Sequence, residues 1–116
     1  MNLNGLWTAN FSSATGMTGS GVVVLMDGRV LGGDANYHYV GTYTIDESRF
    51  HAEIQVTHYF GPLTNIFGPF RSIKLVLDGA TSEQLIMAQG YVVSAQALRM
   101  SLRLQRVAGL AAQEKK

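Results

Sequence analysis

Residues 49–60 read RFHAEIQVTHYF, and this stretch decides the fold. From Phe50 onward, every second position carries an apolar or aromatic side chain or a histidine. The positions between them, beginning at Arg49, are mostly polar. Side chains in a β-strand point alternately to opposite faces of the sheet. The stretch therefore predicts a strand with one face in a core and the other in water.

Seven further segments carry a similar period of two or a run of β-forming residues. With 49–60, the eight predicted strands are 5–11, 21–26, 29–31, 37–45, 49–60, 70–77, 83–93 and 98–105. Asp27-Gly28 lies between two apolar runs, and this pair favours a type I′ hairpin turn, which needs positive φ at both central positions. Asp46-Glu47-Ser48 predicts a second turn.

Three stretches are predicted to lie outside the strands. Residues 12–21 hold three glycines, five serines or threonines and one methionine, so little apolar burial offsets their ordering entropy and a flexible connection is expected. Residues 32–36 (GGDAN) and 78–82 (DGATS) have the composition of turns. The glycines of the first are expected to adopt positive φ.

A Gly-Pro pair stands at each end of residues 61–69, GPLTNIFGP. Leu63, Ile66 and Phe67 have the i, i+3, i+4 spacing that places side chains on one side of a short helical turn, predicted near 62–67. Two interpretations stay open. The turn plugs one end of the fold, or its three apolar side chains form a dimer or ligand contact.

The segment pattern predicts an all-β fold: an eight-stranded antiparallel meander closed as a β-barrel. Residues 1–108 form the single domain, and 109–116 form a frayed C-terminal tail. Closure removes the unpaired strand edges and leaves an interior wide enough for side chains or one small ligand. A two-sheet sandwich is the competing architecture. The predicted interior residues are Trp7, Phe11, Phe50, Ile54, Val56, Leu98, Met100 and Leu102.

Composition excludes several classes of protein. The chain has 116 residues, 47% hydrophobic and 15% charged, with a net charge of +1 and no cysteine. Disulfides and thiolate metal sites are therefore impossible, and the near-neutral charge argues against a nucleic-acid partner. The apolar runs are too short for a membrane-spanning helix, and the first residues do not resemble a signal peptide. A cytoplasmic location without membrane contact is expected.

No catalytic or metal-binding pattern stands out. His51 and His58 are an odd number of positions apart in one predicted strand, so they face opposite sides and cannot share a metal ion. No nucleophile with a base and an orienting group is evident. We therefore expect a non-enzymatic protein without metal or other cofactor.

Residues 19–43, GSGVVVLMDGRVLGGDANYHYVGTY, resemble the hallmark segment of the GrlR-like family, which includes a negative regulator of type III secretion genes. The resemblance extends from Gly5-Leu6-Trp7 through the last predicted strand. It implies a lipocalin-like eight-stranded barrel that forms a homodimer and sequesters a transcriptional activator.

The resemblance implies that a run of four acidic residues holds the activator in that family. The corresponding turn here has only Asp46 and Glu47, followed by Ser48 and Arg49. The leading hypothesis is a regulator that acts by protein contact, with Asp46 and Glu47 as partner site and Leu63, Ile66 and Phe67 as dimer surface. The alternative is a carrier or sensor that encloses a small apolar, lipid-like ligand, and cavity size discriminates between them.

Overall fold

A computed structural model of the chain describes residues 1–110. These residues form eight strands and no helix. The strands are β1 (Gly5–Ser13), β2 (Thr18–Met26), β3 (Arg29–Gly33), β4 (Tyr37–Asp46), β5 (Arg49–His58), β6 (Ser72–Thr81), β7 (Leu85–Val92) and β8 (Ala95–Gly109). Accordingly, none of the described residues forms a helix long and apolar enough to cross a membrane.

The strands form a closed antiparallel meander, as the sequence predicts. Each strand pairs with the next, and β1 also pairs with β8, from Gly5 opposite Gly109 to Ser13 opposite Met100. Every strand therefore has two neighbours, and the competing sandwich architecture is wrong. The alternation predicted for residues 49–60 is also confirmed within β5, where residues 50, 52, 54 and 56 are buried.

The two ends of the barrel differ in the length of their connections. One end has short turns at 27–28, 47–48 and 82–84, together with the N-terminal segment 1–4, and we call it the closed end. The predicted hairpin lies here, with Asp27 at φ 50° and Gly28 at φ 84°. The other end has the connections 14–17, 34–36, 59–71 and 93–94, and we call it the open end.

The prediction of a flexible connection over residues 12–21 is wrong. The strands β1 and β2 take up most of it, because two of its glycines make room for aromatic rings. A Cβ atom on Gly19 would lie 2.5 Å from the ring of Phe11, and one on Gly21 would lie 2.8 Å from the Tyr39 hydroxyl. The order of this stretch therefore comes from side chains elsewhere in the sequence.

The turn predicted at residues 78–82 lies further along the chain. Strand β6 continues to Thr81, and the turn occupies 82–84, where Ser82 N–H donates to the Leu85 carbonyl at 2.9 Å. Gly79 serves close strand packing instead, since a Cβ atom there would lie 1.9 Å from the Met87 carbonyl oxygen.

The short helical turn predicted near 62–67 is also absent. The segment has one hydrogen-bonded turn, in which Gly68 N–H donates to the Asn65 carbonyl at 2.9 Å. The Asn65 side chain accepts a hydrogen bond from Phe67 N–H at 2.9 Å. Such local side-chain bonds offer the backbone an alternative to a helix.

The tail prediction is wrong at its first residue, because Gly109 belongs to β8 and pairs with Gly5. Leu110 N–H then donates to the Asn4 carbonyl at 3.2 Å. The rest of the predicted tail, 111–116, lies outside the described residues.

Candidate functional site

A cavity of about 320 Å³ occupies the barrel interior and reaches the open end. Close-packed protein interiors rarely leave voids larger than a water molecule. This cavity is much larger, so the side chains do not fill the barrel. Its inner wall is formed by side chains from seven strands. They are Ala9, Val23, Leu25, Val30, Phe50, Ile54, Val56, Ile73, Leu75, Leu77, Met100, Leu102 and Leu104, together with the rings of Phe11, Tyr37 and Tyr39.

Six of the eight predicted interior residues line this cavity: Phe11, Phe50, Ile54, Val56, Met100 and Leu102. Trp7 does not, although it is completely buried. Its indole N–H donates to the Leu3 carbonyl at 3.0 Å, so the ring fills the closed end of the barrel. Leu98 also lies outside the lining. The pairing of β8 with β1 stops at Met100, and Leu98 therefore extends beyond the rim on that side.

The mouth of the cavity is polar. It is lined by Thr18, Ser20, Asp34, Asn36, Thr64 and Asn65, which come from two connections and the start of β2. An apolar chamber that ends in a few fixed polar groups is the common form of a small-molecule site, because the polar groups orient what the apolar walls bury.

Asp34 is held by three donors at this mouth. Its Oδ1 atom accepts hydrogen bonds from the backbone N–H groups of Asn36 at 2.9 Å and Tyr37 at 2.8 Å. Its Oδ2 atom accepts one from the Tyr39 hydroxyl. Burial, followed by this bond to Asp34, raises the pKa of Tyr39 well above its ordinary value. The phenol therefore stays protonated and donates, and the carboxylate of Asp34 accepts.

Asn36 fastens the long connection 59–71 to the turn between β3 and β4. Its side-chain N–H donates to the Phe60 carbonyl at 2.9 Å, and its Oδ1 atom accepts from the Thr64 hydroxyl at 3.0 Å. The backbone of Tyr59 adds a bond to the Asn36 carbonyl at 2.9 Å. These bonds give the rim of the mouth a defined shape.

The predicted dimer surface divides into different environments. Ile66 is only 8% exposed and belongs to the core, and both Ile66 and Phe67 line the cavity. Leu63 is half-buried. The position of Ile66 fits both the plug and a ligand contact, so these two interpretations stay open. A subunit contact through Leu63 and Phe67 stays a prediction.

The predicted partner site lies at the opposite end of the barrel from the mouth. Asp46, the last residue of β4, and Glu47, in the tight turn that follows, are both exposed, and Asp46 pairs in register with Arg49. Glu47 adopts a left-handed conformation, with φ 58°. The two carboxylates are thus accessible and lie at the end of the barrel opposite the cavity mouth.

The outer face of β5 and β6 carries a small charged cluster. His51 Nδ1 lies 2.7 Å from an oxygen of Asp78, and its Nε2 lies 3.3 Å from an oxygen of Glu53. The hydrogen bonds to Asp78 and then to Glu53 raise the pKa of His51. His58 points the other way and makes an edge contact with Tyr37, with ring centroids 5.4 Å apart. The predicted opposite orientation of the two histidines agrees with these contacts.

The polar mouth was not evident from the sequence, since its residues are scattered along the chain. The GGDAN stretch holds the signal that could have revealed part of it. Gly32 and Gly33 belong to β3 and do not adopt positive φ. A Cβ atom on Gly32 would lie 2.1 Å from the Val22 carbonyl oxygen, so this glycine permits close strand approach. Asp34 is the signal, because an aspartate side chain often accepts a hydrogen bond from the backbone N–H two residues further on, which forms an Asx turn. Here that N–H is the one of Asn36.

Comparison with known proteins finds a likeness among solved structures. No family model matches the chain, and no curated protein is similar to it. Among solved structures, a redesigned beta barrel has 14% sequence identity over 91% of this chain and 92% of that chain, with a TM-score of 0.49. So distant a likeness carries no functional argument. The chain's own strand pairing defines it as an eight-stranded β-barrel with an internal apolar cavity, and the GrlR-like resemblance stays a prediction.

Proposed function

We propose that this protein binds a small, largely apolar molecule inside its barrel, as a carrier or a sensor. The observation that supports this most directly is the cavity of about 320 Å³ with an apolar wall and a polar mouth. This volume lies within the roughly 300–1,000 Å³ range that is typical of small-molecule pockets.

The chemistry of the wall favours an organic ligand over water. A buried water molecule needs about two to four polar partners, and the inner wall offers mostly hydrocarbon. An apolar body gains free energy there by leaving water, at about 25 cal/mol per Å² of buried apolar surface. The polar rim then holds the end of the molecule that faces the solvent.

The regulatory function that the GrlR-like resemblance implies is a separate proposal. It places an activator or another protein partner on Asp46 and Glu47, and these residues lie at the closed end. The two functions use different surfaces, so they are compatible. A ligand that favoured one state of the barrel would alter partner binding.

The test of cavity binding is a fluorescence titration with N-phenyl-1-naphthylamine, an uncharged dye that brightens in apolar surroundings. We expect saturable binding to the wild-type protein. Ala9 lines the cavity, so Ala9→Met fills part of it and should weaken binding by about tenfold or more.

The matched control is Ala97→Met, the same change at an exposed position of β8. It should leave the affinity unchanged, and circular dichroism verifies that both variants fold. Absence of saturable binding to the wild type would refute the proposal, as would equal affinities for the two variants.

A further inference from the structure

Asp34 is the one charged side chain among the described residues that line the cavity. Its neighbours at the mouth are neutral polar residues, and the wall behind it is apolar. Within residues 1–110, no lysine, arginine or histidine contributes to the lining. The site therefore has a negative charge at its entrance, and its described lining supplies no positive charge to balance it.

The carboxylate is oriented but not neutralised. Its three hydrogen-bond donors, two backbone N–H groups and the Tyr39 hydroxyl, are all uncharged. An ionised carboxylate offers about four acceptor sites, so one remains. Within residues 1–110, the ion pairs involve Glu53 and Asp78 on the outer face, and none involves Asp34.

We propose that the ligand is an apolar amine whose protonated amino group binds Asp34 at the mouth while its hydrocarbon body fills the cavity. This inference rests on the proposed function and specifies its ligand class. Charge-assisted hydrogen bonds to a fixed carboxylate are stronger than neutral ones, and the surrounding donors already hold Asp34 in place. The amine therefore meets a preorganised acceptor.

The same geometry disfavours an apolar carboxylic acid. A ligand carboxylate at the mouth would lie near Asp34, with no cation in the described lining to offset the repulsion. Like charges brought together at a partly desolvated site discriminate strongly against the wrong ligand. An uncharged alcohol should fall between the two, since it donates a hydrogen bond without a charge.

The volume sets the size of the hydrocarbon body. A cavity of roughly 150 Å³ accommodates benzene, and this one is about 320 Å³. A single aromatic ring with a short alkyl chain, or a medium-length alkyl chain, is therefore the expected body. The aromatic rings of Phe11 and Tyr39 lie 6.3 Å apart in an edge arrangement beside the mouth.

The test uses three probes with one carbon skeleton: 4-phenylbutylamine, 4-phenylbutanol and 4-phenylbutyrate. Each displaces N-phenyl-1-naphthylamine from the wild type, Asp34→Asn and Asp46→Asn. Asparagine keeps the Oδ1 acceptor for the two backbone N–H groups, and unchanged dye affinity verifies that the mouth is intact. Asp46→Asn removes the same charge at the closed end.

In the wild type and in Asp46→Asn, we expect the amine to bind about tenfold or more tightly than the carboxylate. In Asp34→Asn, the preference should fall to near one. A second measurement needs no variant: raising the salt concentration from about 20 mM to about 500 mM should weaken amine binding and leave alcohol binding unchanged.

Equal affinity of the three probes for the wild type, tighter binding of the carboxylate, a preference that persists in Asp34→Asn, or amine binding that ignores salt would overturn the inference. In each of those cases, the dye and the alcohol still bind and the proposed function stands. If neither the dye nor any probe binds the wild type, the proposed function itself fails.

Discussion

The guanidinium carbon of Arg106 lies 4.7 Å from the centroid of the Trp7 ring. Around this contact, Arg106 donates hydrogen bonds to the carbonyl oxygens of Asn2 and Asn4, each at 2.8 Å, and of Glu83 at 2.6 Å. One side chain thus joins the N-terminal segment, β1, β8 and the turn between β6 and β7. The closed end depends on it.

Arg106→Lys should therefore destabilise the protein despite keeping the charge. An ammonium group cannot form all three bonds of the planar guanidinium fork. We expect the free energy of unfolding to fall by about 1–3 kcal/mol, measured by denaturant titration. Arg103→Lys, at an exposed position of the same strand, is the control and should change it little. Equal losses in the two variants would contradict this role for Arg106.

Gly79→Ala should weaken the sheet between β6 and β7. The added Cβ atom would lie 1.9 Å from the Met87 carbonyl oxygen, and backbone cannot move aside as a flexible side chain can. We expect a loss of about 1–3 kcal/mol in the free energy of unfolding. Gly109→Ala is the matched control, since the nearest neighbouring atom would be 3.7 Å away. If the free energy of unfolding of Gly79→Ala equals that of the wild type, β6 and β7 move apart to accommodate the Cβ atom and the prediction is wrong.

His51 should give the stability a shallow pH dependence. Hydrogen bonds to Asp78 and Glu53 raise its pKa in the folded state from the ordinary 6.5, so the folded protein holds the proton more tightly than the unfolded chain. The stabilisation is complete below the ordinary pKa and is lost as pH rises through the raised one. It is small, because the side chain is 40% exposed and solvent screens the charges.

Nuclear magnetic resonance titration measures this directly. The pKa of His51 should lie above 6.5 in the wild type and should decrease in Asp78→Asn. In denaturant titrations, His51→Gln should remove the decline in stability between about pH 6 and about pH 8. An unchanged pKa in Asp78→Asn would refute the assigned cause.

The predicted partner site can be tested without disturbing its turn. Glu47 has φ 58°, a conformation that asparagine tolerates better than alanine, so Asp46→Asn combined with Glu47→Asn removes both charges and preserves the backbone. If an acidic tip holds a protein partner, capture of that partner from native lysate should fall in the double variant and not in Asp34→Asn. Retention of every captured protein by the double variant would reject the tip as the partner site.

The period-two pattern was enough to predict the barrel because burial enforces it. In β5, a shift of one residue would turn Phe50 and Ile54 outward, so the side chains themselves fix the orientation of the strand. Glycine misled the prediction. Gly19 and Gly79 look like loop residues in the sequence, but their role depends on Phe11 and on the Met87 carbonyl, which lie on other strands.

The apolar wall of the site was predictable for the same reason, since Ile54 and Val56 follow the alternation. The mouth was not. Asp34 and Asn36 belong to one connection and Thr64 to another, and only strand closure and the bonds of Asn36 bring the two connections together. Trp7 and Leu98 show a related limit: periodicity places a side chain inside the sheet but does not give its height along the barrel axis.

The unequal ends of the barrel have a consequence for how such a protein diversifies. The tight turns and the Arg106 bonds fix the closed end, whereas the rim of the cavity mouth is built from connections that carry few of the strand-pairing bonds. Exchanging the residues around Ile66 for another sequence, with an apolar anchor kept at that position, should graft a new selectivity onto an unchanged scaffold.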